Sequence, residues 1–143
     1  KTLKLPKNLF IIGTMNMADR SIGHIDYAIR RRFSFVDVLP NIQPIKECGK
    51  SLFKQVSELF IKDFDTFNWS EPKMVRSEFL AIDFKPEDIW LGHSYFITKN
   101  DGVEGTKELE IKLKYDIRPI LKEYVKDGIL SDQALDVIDQ LHV

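Results

Sequence analysis

The chain has 143 residues and a single cysteine, Cys48. No internal disulfide can form, and such cysteine usage fits a reducing compartment. No apolar run approaches the ~18 residues that a membrane-spanning helix needs, and no signal-peptide pattern is present, so a cytoplasmic protein without a membrane segment is expected. Neither charge sign dominates: the formal net charge is -1. That excludes a uniformly basic nucleic-acid-binding surface but leaves room for a local basic patch. Repeats and low-complexity tracts are lacking. The first residue is Lys1 rather than methionine, and an apolar run follows almost at once, which is expected of a piece of a longer protein.

What is present can build a core. The chain is 43% hydrophobic and 30% charged, a globular balance that disordered segments do not show. Residues 8–16, "NLFIIGTMN", form a short continuous apolar run rich in β-formers that ends at Gly13-Thr14. This is the pattern of a strand buried on both faces, as in a parallel sheet. Ile25, Ala28 and Ile29 fall at helical spacing, which predicts a short helix over roughly 23–31. Residues 33–39, "FSFVDVL", alternate and predict a second strand closed by Pro40-Asn41. Together they give a β-α-β unit, the end of a Rossmann-like sheet and hence an α/β fold.

From residue 41 onward the pattern turns helical. Leu52, Phe53, Val56, Leu59 and Phe60 share one helical face within 44–64. Residues 99–105, "KNDGVEG", read as a loop. Apolar positions between Leu109 and Val125 predict two helices meeting near Pro119, with Gly128 as a C-terminal stop and Ser131 as the cap of a last helix.

The polar cluster after the first strand carries the chemistry. Thr14, Asn16, Asp19 and Arg20 would lie beyond a strand's carboxyl end, where open α/β sheets bind ligands. An Asn can hold a water against a phosphate without adding charge, and Arg presents a rigid fork of donors to phosphate oxygens. Read locally, the same residues also suit a turn and helix cap, with Arg30, Arg31 and Arg32 forming a solvated face. "CGKS" at 48–51 looks like the end of a phosphate-binding loop, but the required first glycine is Pro44, which has no N–H to offer. No acidic pair ends an apolar strand, since Asp37 sits inside an alternating run. The three histidines and one cysteine lack metal-site spacing, so no metal ligand is assigned. Trp69, Trp90, Tyr95 and Phe96 could stack on bases, but without interleaved basic residues they read as core. His93 fits either a residue facing nucleotide or a satisfied turn histidine.

Residues 11–40, "IIGTMNMADRSIGHIDYAIRRRFSFVDVLP", resemble the McrB family of AAA+ motors, the GTP-driven subunits of methylcytosine-dependent restriction systems. The family pattern is a strand, GTMN-x-ADRS, a short helix with D-x-A-[LI]-RRRF, then an F-x-F strand. "LGHSYFI" at 91–97 and "LKYDIRPILKEYV" at 113–125 resemble two further family segments in the same order, and Met17 stands where the family often has Thr.

The resemblance implies the C-terminal part of an AAA+ (P-loop NTPase) core over 1–40 and a mainly helical lid subdomain over 41–143. It makes Asn16 the sensor that orients the attacking water. Arg31 and Arg32 become arginine fingers acting in trans on a neighbouring subunit's nucleotide. Thr14, Asp19, Arg20 and His93 belong to the nucleotide site or the subunit interface by the same token. The implied cofactor is GTP or ATP with Mg²⁺. The implied partners are other copies in a ring, hexameric by family, a McrC-like nuclease and DNA. The phosphate cradle and Mg²⁺ ligands are missing from this sequence, so the chain alone should be inactive, and a covering segment is expected over the apolar run 9–12. The alternative is a non-catalytic helical interaction domain whose arginine cluster meets an acidic partner or nucleic acid.

Overall fold

A computed structural model describes residues 6–14, 28, 31–69 and 73–143. The architecture over these residues is helical. Helix α1 spans Glu47–Ser57 and α2 Pro86–Ile89. Helix α3, Gly102–Lys112, runs through a π turn at Leu113–Ile117 into α4, Arg118–Lys126, and α5 closes the chain at Ala134–Gln140. Short 3₁₀ turns lie at Phe64–Thr66 and His93–Phe96.

The amphipathic pattern built α1 as expected, with Leu52, Phe53 and Val56 buried on one face. The helix stops at Ser57, before Leu59 and Phe60, although both are fully buried. Backbone pairing takes over there: the amide of Lys62 donates to the Val75 carbonyl at 2.8 Å and that of Ser77 to Phe60 at 3.1 Å. An antiparallel bridge between Ile61 and Arg76 results, so the chain exchanges helical hydrogen bonds for a cross-chain pair.

Aromatic rings fill the centre. Phe53, at 0% exposure, stacks on Trp90 at 5.8 Å and meets Phe96 edge-on at 5.1 Å and Phe64 at 5.8 Å. The buried Trp90 indole donates to the Ser57 hydroxyl at 3.0 Å, which satisfies the one polar atom the ring brings inside. These contacts place Trp90 and Phe96 in the core, with Tyr95 half-buried against it; Trp69, 6.1 Å from Trp90, flanks the cluster and is itself exposed.

The predicted meeting of two helices near Pro119 is a continuous rod with a register change. Pro119 sits in the first turn of α4 and cannot donate to the preceding turn. The π turn directly before it accommodates that break and keeps Leu113 and Ile117 buried. Gly128 ends α4 as expected, in a left-handed conformation (φ 69°), with the Ile129 amide folding back to the Tyr124 carbonyl at 2.9 Å. Arg118 closes the other end of the body: its guanidinium donates to the carbonyls of Ile138, Asp139 and Leu141, the C-terminal end of α5.

Three expectations are corrected. The loop expected over 99–105 holds only for 99–101; 102–105 are the start of α3, which Asp101 caps and Gly105 lets approach α1. A Cβ at Gly105 would lie 2.6 Å from the Asn100 carbonyl oxygen and 2.7 Å from the Cys48 sulfur. Ser131 does not cap α5: Gln133 occupies the cap position, the Ser131 carbonyl accepts from the Ala134 amide at 2.9 Å in the turn before it, and the Ser131 hydroxyl is buried without a partner. The two strands at 8–16 and 33–39 do not form among the described residues: 9–14 and 34–40 carry no regular structure. Leu9, Phe10, Ile11 and Ile12 are 50–93% exposed, and Phe33, Phe35, Val36 and Val38 are exposed as well. A strand's amides and carbonyls are satisfied only by neighbouring strands, and the described residues supply no sheet for these segments to join. Most of the helix expected over 23–31 lies outside the described residues; of the two described there, Ala28 is helical and Arg31 is in a turn.

Candidate functional site

The N-terminal segment carries most of the sequence-derived site. Thr14 is exposed at the end of its apolar run. Asn16, Asp19 and Arg20 lie outside the described residues, as does Arg30. Arg31 and Arg32 are exposed in a turn that leads into the extended stretch 34–39. At Pro40 the chain becomes buried and enters the helical body. The very next residue makes a long-range bond: the Asn41 amide donates to Nδ1 of His93 at 3.1 Å. The Asn41 side-chain oxygen accepts from the Gln43 amide at 2.9 Å, turning the chain toward the buried Ile45. The imidazole thus has a protein partner on one nitrogen, as a turn histidine does, and this partner was not legible beforehand because 52 residues separate the two.

The "CGKS" stretch proves to be the first turns of α1. A Cβ on Gly49 would lie 2.8 Å from both an Ile45 methyl and the Phe96 carbonyl oxygen, so this glycine serves helix packing. Lys50 pairs with Glu47 at 2.6 Å. No phosphate loop is made here.

A feature the sequence reading missed lies at the same end of α1. One oxygen of Asp101 accepts from the Gly102 amide at 2.9 Å and from the Cys48 amide at 3.1 Å. A single carboxylate therefore caps both α3 and α1, where two helix dipoles present positive ends. These hydrogen bonds, first to Gly102 and then to Cys48, pull its pKa from 3.8 down to about 2. The Cys48 thiol moves the other way, raised first by burial and then by its contact with Asp101, which makes it a poor nucleophile. Burial likewise raises the Tyr124 phenol. Because the Asp101 pKa is depressed on folding, its contribution is complete above 3.8 and fades as pH falls toward about 2. Asp101→Asn should accordingly lower the melting temperature at neutral pH. The gap between variant and wild type should close between pH 4 and pH 2, as thermal melts across that range would read. A gap independent of pH would mean that the charge is irrelevant to the cap.

Among the described residues no group of three His, Cys, Asp or Glu side chains could hold a metal, and no helix is long and apolar enough to cross a membrane. An open groove of about 730 Å³ lies between 58–66 and 77–79. Its lining carries Glu58, Asp63, Asp65 and Glu78 against one cation, Lys62, a net negative set that disfavours nucleotide phosphates. The described residues therefore do not provide a complete nucleotide site, and a GTP–Mg²⁺ cradle does not fit them.

No family model and no solved structure matches this chain. It is 35% identical over 133 residues to the type IV methyl-directed restriction enzyme EcoKMcrB subunit of Escherichia coli (strain K12). That alignment takes in 90% of this chain but only 28% of the relative, so the chain spans little more than a quarter of the length of the curated protein it matches. The resemblance to McrB carried by residues 11–40, 91–97 and 113–125 thus extends across nine tenths of the chain, which is McrB-like over that length.

Proposed function

We propose that this chain works as the C-terminal part of a McrB-like AAA+ motor that couples GTP or ATP hydrolysis to DNA restriction. Residues 1–40 complete the motor core and 41–143 form its lid. The observation that carries this reading is the 35% identity to the E. coli subunit across 90% of the chain. The exposed apolar runs agree with it: burying a large apolar side chain is worth about 1.5–3 kcal/mol, so Leu9–Ile12 and Phe33–Val38 have a strong drive to join a sheet supplied by other residues.

In such a protein Asn16 holds the attacking water through its uncharged amide. Arg31 and Arg32 stabilise the charge that develops on a phosphoryl group held by an adjoining copy. Their exposure, with no fold contact needed to explain the turn that carries them, leaves the guanidinium groups available to a neighbour. The nucleotide and Mg²⁺ are held by residues other than those described, and a McrC-like nuclease and DNA complete the assembly. A hexameric ring satisfies the requirement that each finger reach another copy's nucleotide.

The test compares the intact gene product with the 143-residue chain. The intact protein should hydrolyse GTP or ATP with Mg²⁺, while the chain alone should not. Turnover by the chain alone would contradict the division of labour. An inactive intact protein, together with salt-sensitive DNA binding by this chain, would favour a non-catalytic domain using Arg31, Arg32 and the neighbouring Phe33 and Phe35.

A further inference from the structure

The geometry points to His93 as a positioning residue: its Nδ1 holds the Asn41 amide and so fixes the direction in which the arginine-bearing segment leaves the helical body. This inference rests on the proposed motor reading for its functional consequence, but the latch itself is a property of the fold.

The argument begins at the point of entry. Side chains from 31 to 38 are exposed, and Pro40 is the first buried residue after them. Asn41 is therefore where the path of 31–39 is set relative to the helices. Its amide has one partner, the His93 nitrogen at 3.1 Å, and its side chain turns the following residues through Gln43. His93 is itself held firmly. It opens the 3₁₀ turn His93–Phe96, and Phe96, at 0% exposure, packs edge-on against Phe53 at 5.1 Å. A continuous series of packed groups thus runs from the aromatic core through Phe96 and His93 to Asn41 and Pro40, nine residues from Arg31 in sequence. A movement of the helical body thus reaches the base of the arginine segment through this junction.

The bond also says what His93 does not do. An Nδ1 that accepts from an amide carries its lone pair there, so the ring proton is on Nε2. The atom used by the latch is not free for a phosphate or metal. Through this bond His93 acts on Asn41, while its Nε2–H keeps its own donor.

The experiment uses the intact protein. Its cysteines are replaced, Cys48 by Ala, and spin labels are placed at Asp37→Cys and Glu123→Cys to measure the distance between the entering segment and α4. Three substitutions separate the acceptor from the bulk of the ring. His93→Asn keeps an acceptor two bonds beyond Cβ, as Nδ1 is; His93→Gln moves it one atom outward; His93→Ala removes it. His93→Ala and His93→Gln should broaden the label-to-label distance distribution. They should also speed hydrogen exchange of the Asn41 amide by about three- to tenfold, the weight of one hydrogen bond. His93→Asn should restore both. Nucleotide turnover should fall in the Ala and Gln variants, with nucleotide affinity unchanged, and recover in the Asn variant.

An unchanged distance distribution in His93→Ala overturns the proposal, as does a His93→Asn variant as broad as Ala. Broadening without a change in turnover overturns the link to the arginines. If the wild-type protein hydrolyses no nucleotide, the motor reading fails, while the distance and exchange measurements still decide the latch.

Discussion

Replacing Arg31 or Arg32 by alanine in the intact protein should abolish nucleotide turnover while leaving nucleotide binding intact. A finger of this kind contributes roughly 10³–10⁵-fold to phosphoryl transfer, so the loss should be visible in any steady-state assay. The physical ground is charge. Phosphoryl transfer involves little covalent work by the protein, and the barrier falls when fixed cations meet the charge spreading over the equatorial oxygens. Both arginines stand exposed in a turn. The trans arrangement gives a sharper result than either point variant. An Arg31→Ala subunit keeps its own water-orienting Asn16 but cannot assist its neighbour. An Asn16→Ala subunit has the opposite defect. Mixing the two inactive proteins should regain part of the activity at those sites where a good Asn16 faces a good Arg31. Binding of a fluorescent nucleotide analogue checks that affinity survives. Wild-type rates in either arginine variant, or no recovery on mixing, would remove the finger assignment.

The legible part of this protein was the part that makes its own contacts. Helix α1 could be read from the spacing of Leu52, Phe53 and Val56 because those residues meet partners within the same helical body. Gly128 could be read because a left-handed stop is a local backbone demand. The runs at 8–16 and 33–39 were legible as apolar and β-prone but not as strands in this chain, since a strand's hydrogen bonds depend on a neighbour that local pattern does not specify. The start of α3 was obscured by composition: Gly102 and Gly105 look like loop residues. Only the structure shows one donating its amide to the Asp101 carboxylate and the other making room for Cys48. For the candidate site, the sequence singled out Arg31 and Arg32 but set them at the end of a helix over 23–31, whereas both are exposed in a turn; Asn16, Asp19 and Arg20 lie outside the described residues. His93 was legible as a residue of interest, but its partner Asn41 was set by tertiary packing.

Phe53→Ala should be the most damaging substitution in the helical body. The ring is at 0% exposure and touches Phe64, Trp90 and Phe96 at centroid distances of 5.1–5.8 Å. Its removal forfeits the transfer free energy of the ring and leaves a cavity between three large aromatic neighbours that cannot collapse without losing their own contacts. A loss of about 3–5 kcal/mol follows from that combination. Against a typical domain stability of roughly 5–15 kcal/mol, this would leave the body partly unfolded near physiological temperature. Urea titration of the 143-residue chain, followed through Trp90 fluorescence, gives the measurement, because the stacked indole reports directly on the site. Phe53→Leu should lose less, since it refills part of the volume. The informative control is Ile12→Ser. Ile12 is 93% exposed, so this change should shift the midpoint by no more than about 0.5 kcal/mol in the chain alone. The same change in the intact protein should be costly if a sheet covers that run. A Phe53→Ala loss below about 1 kcal/mol would mean that the aromatic cluster does not hold the helices together, and the junction that aims Arg31 and Arg32 would then lack its anchor.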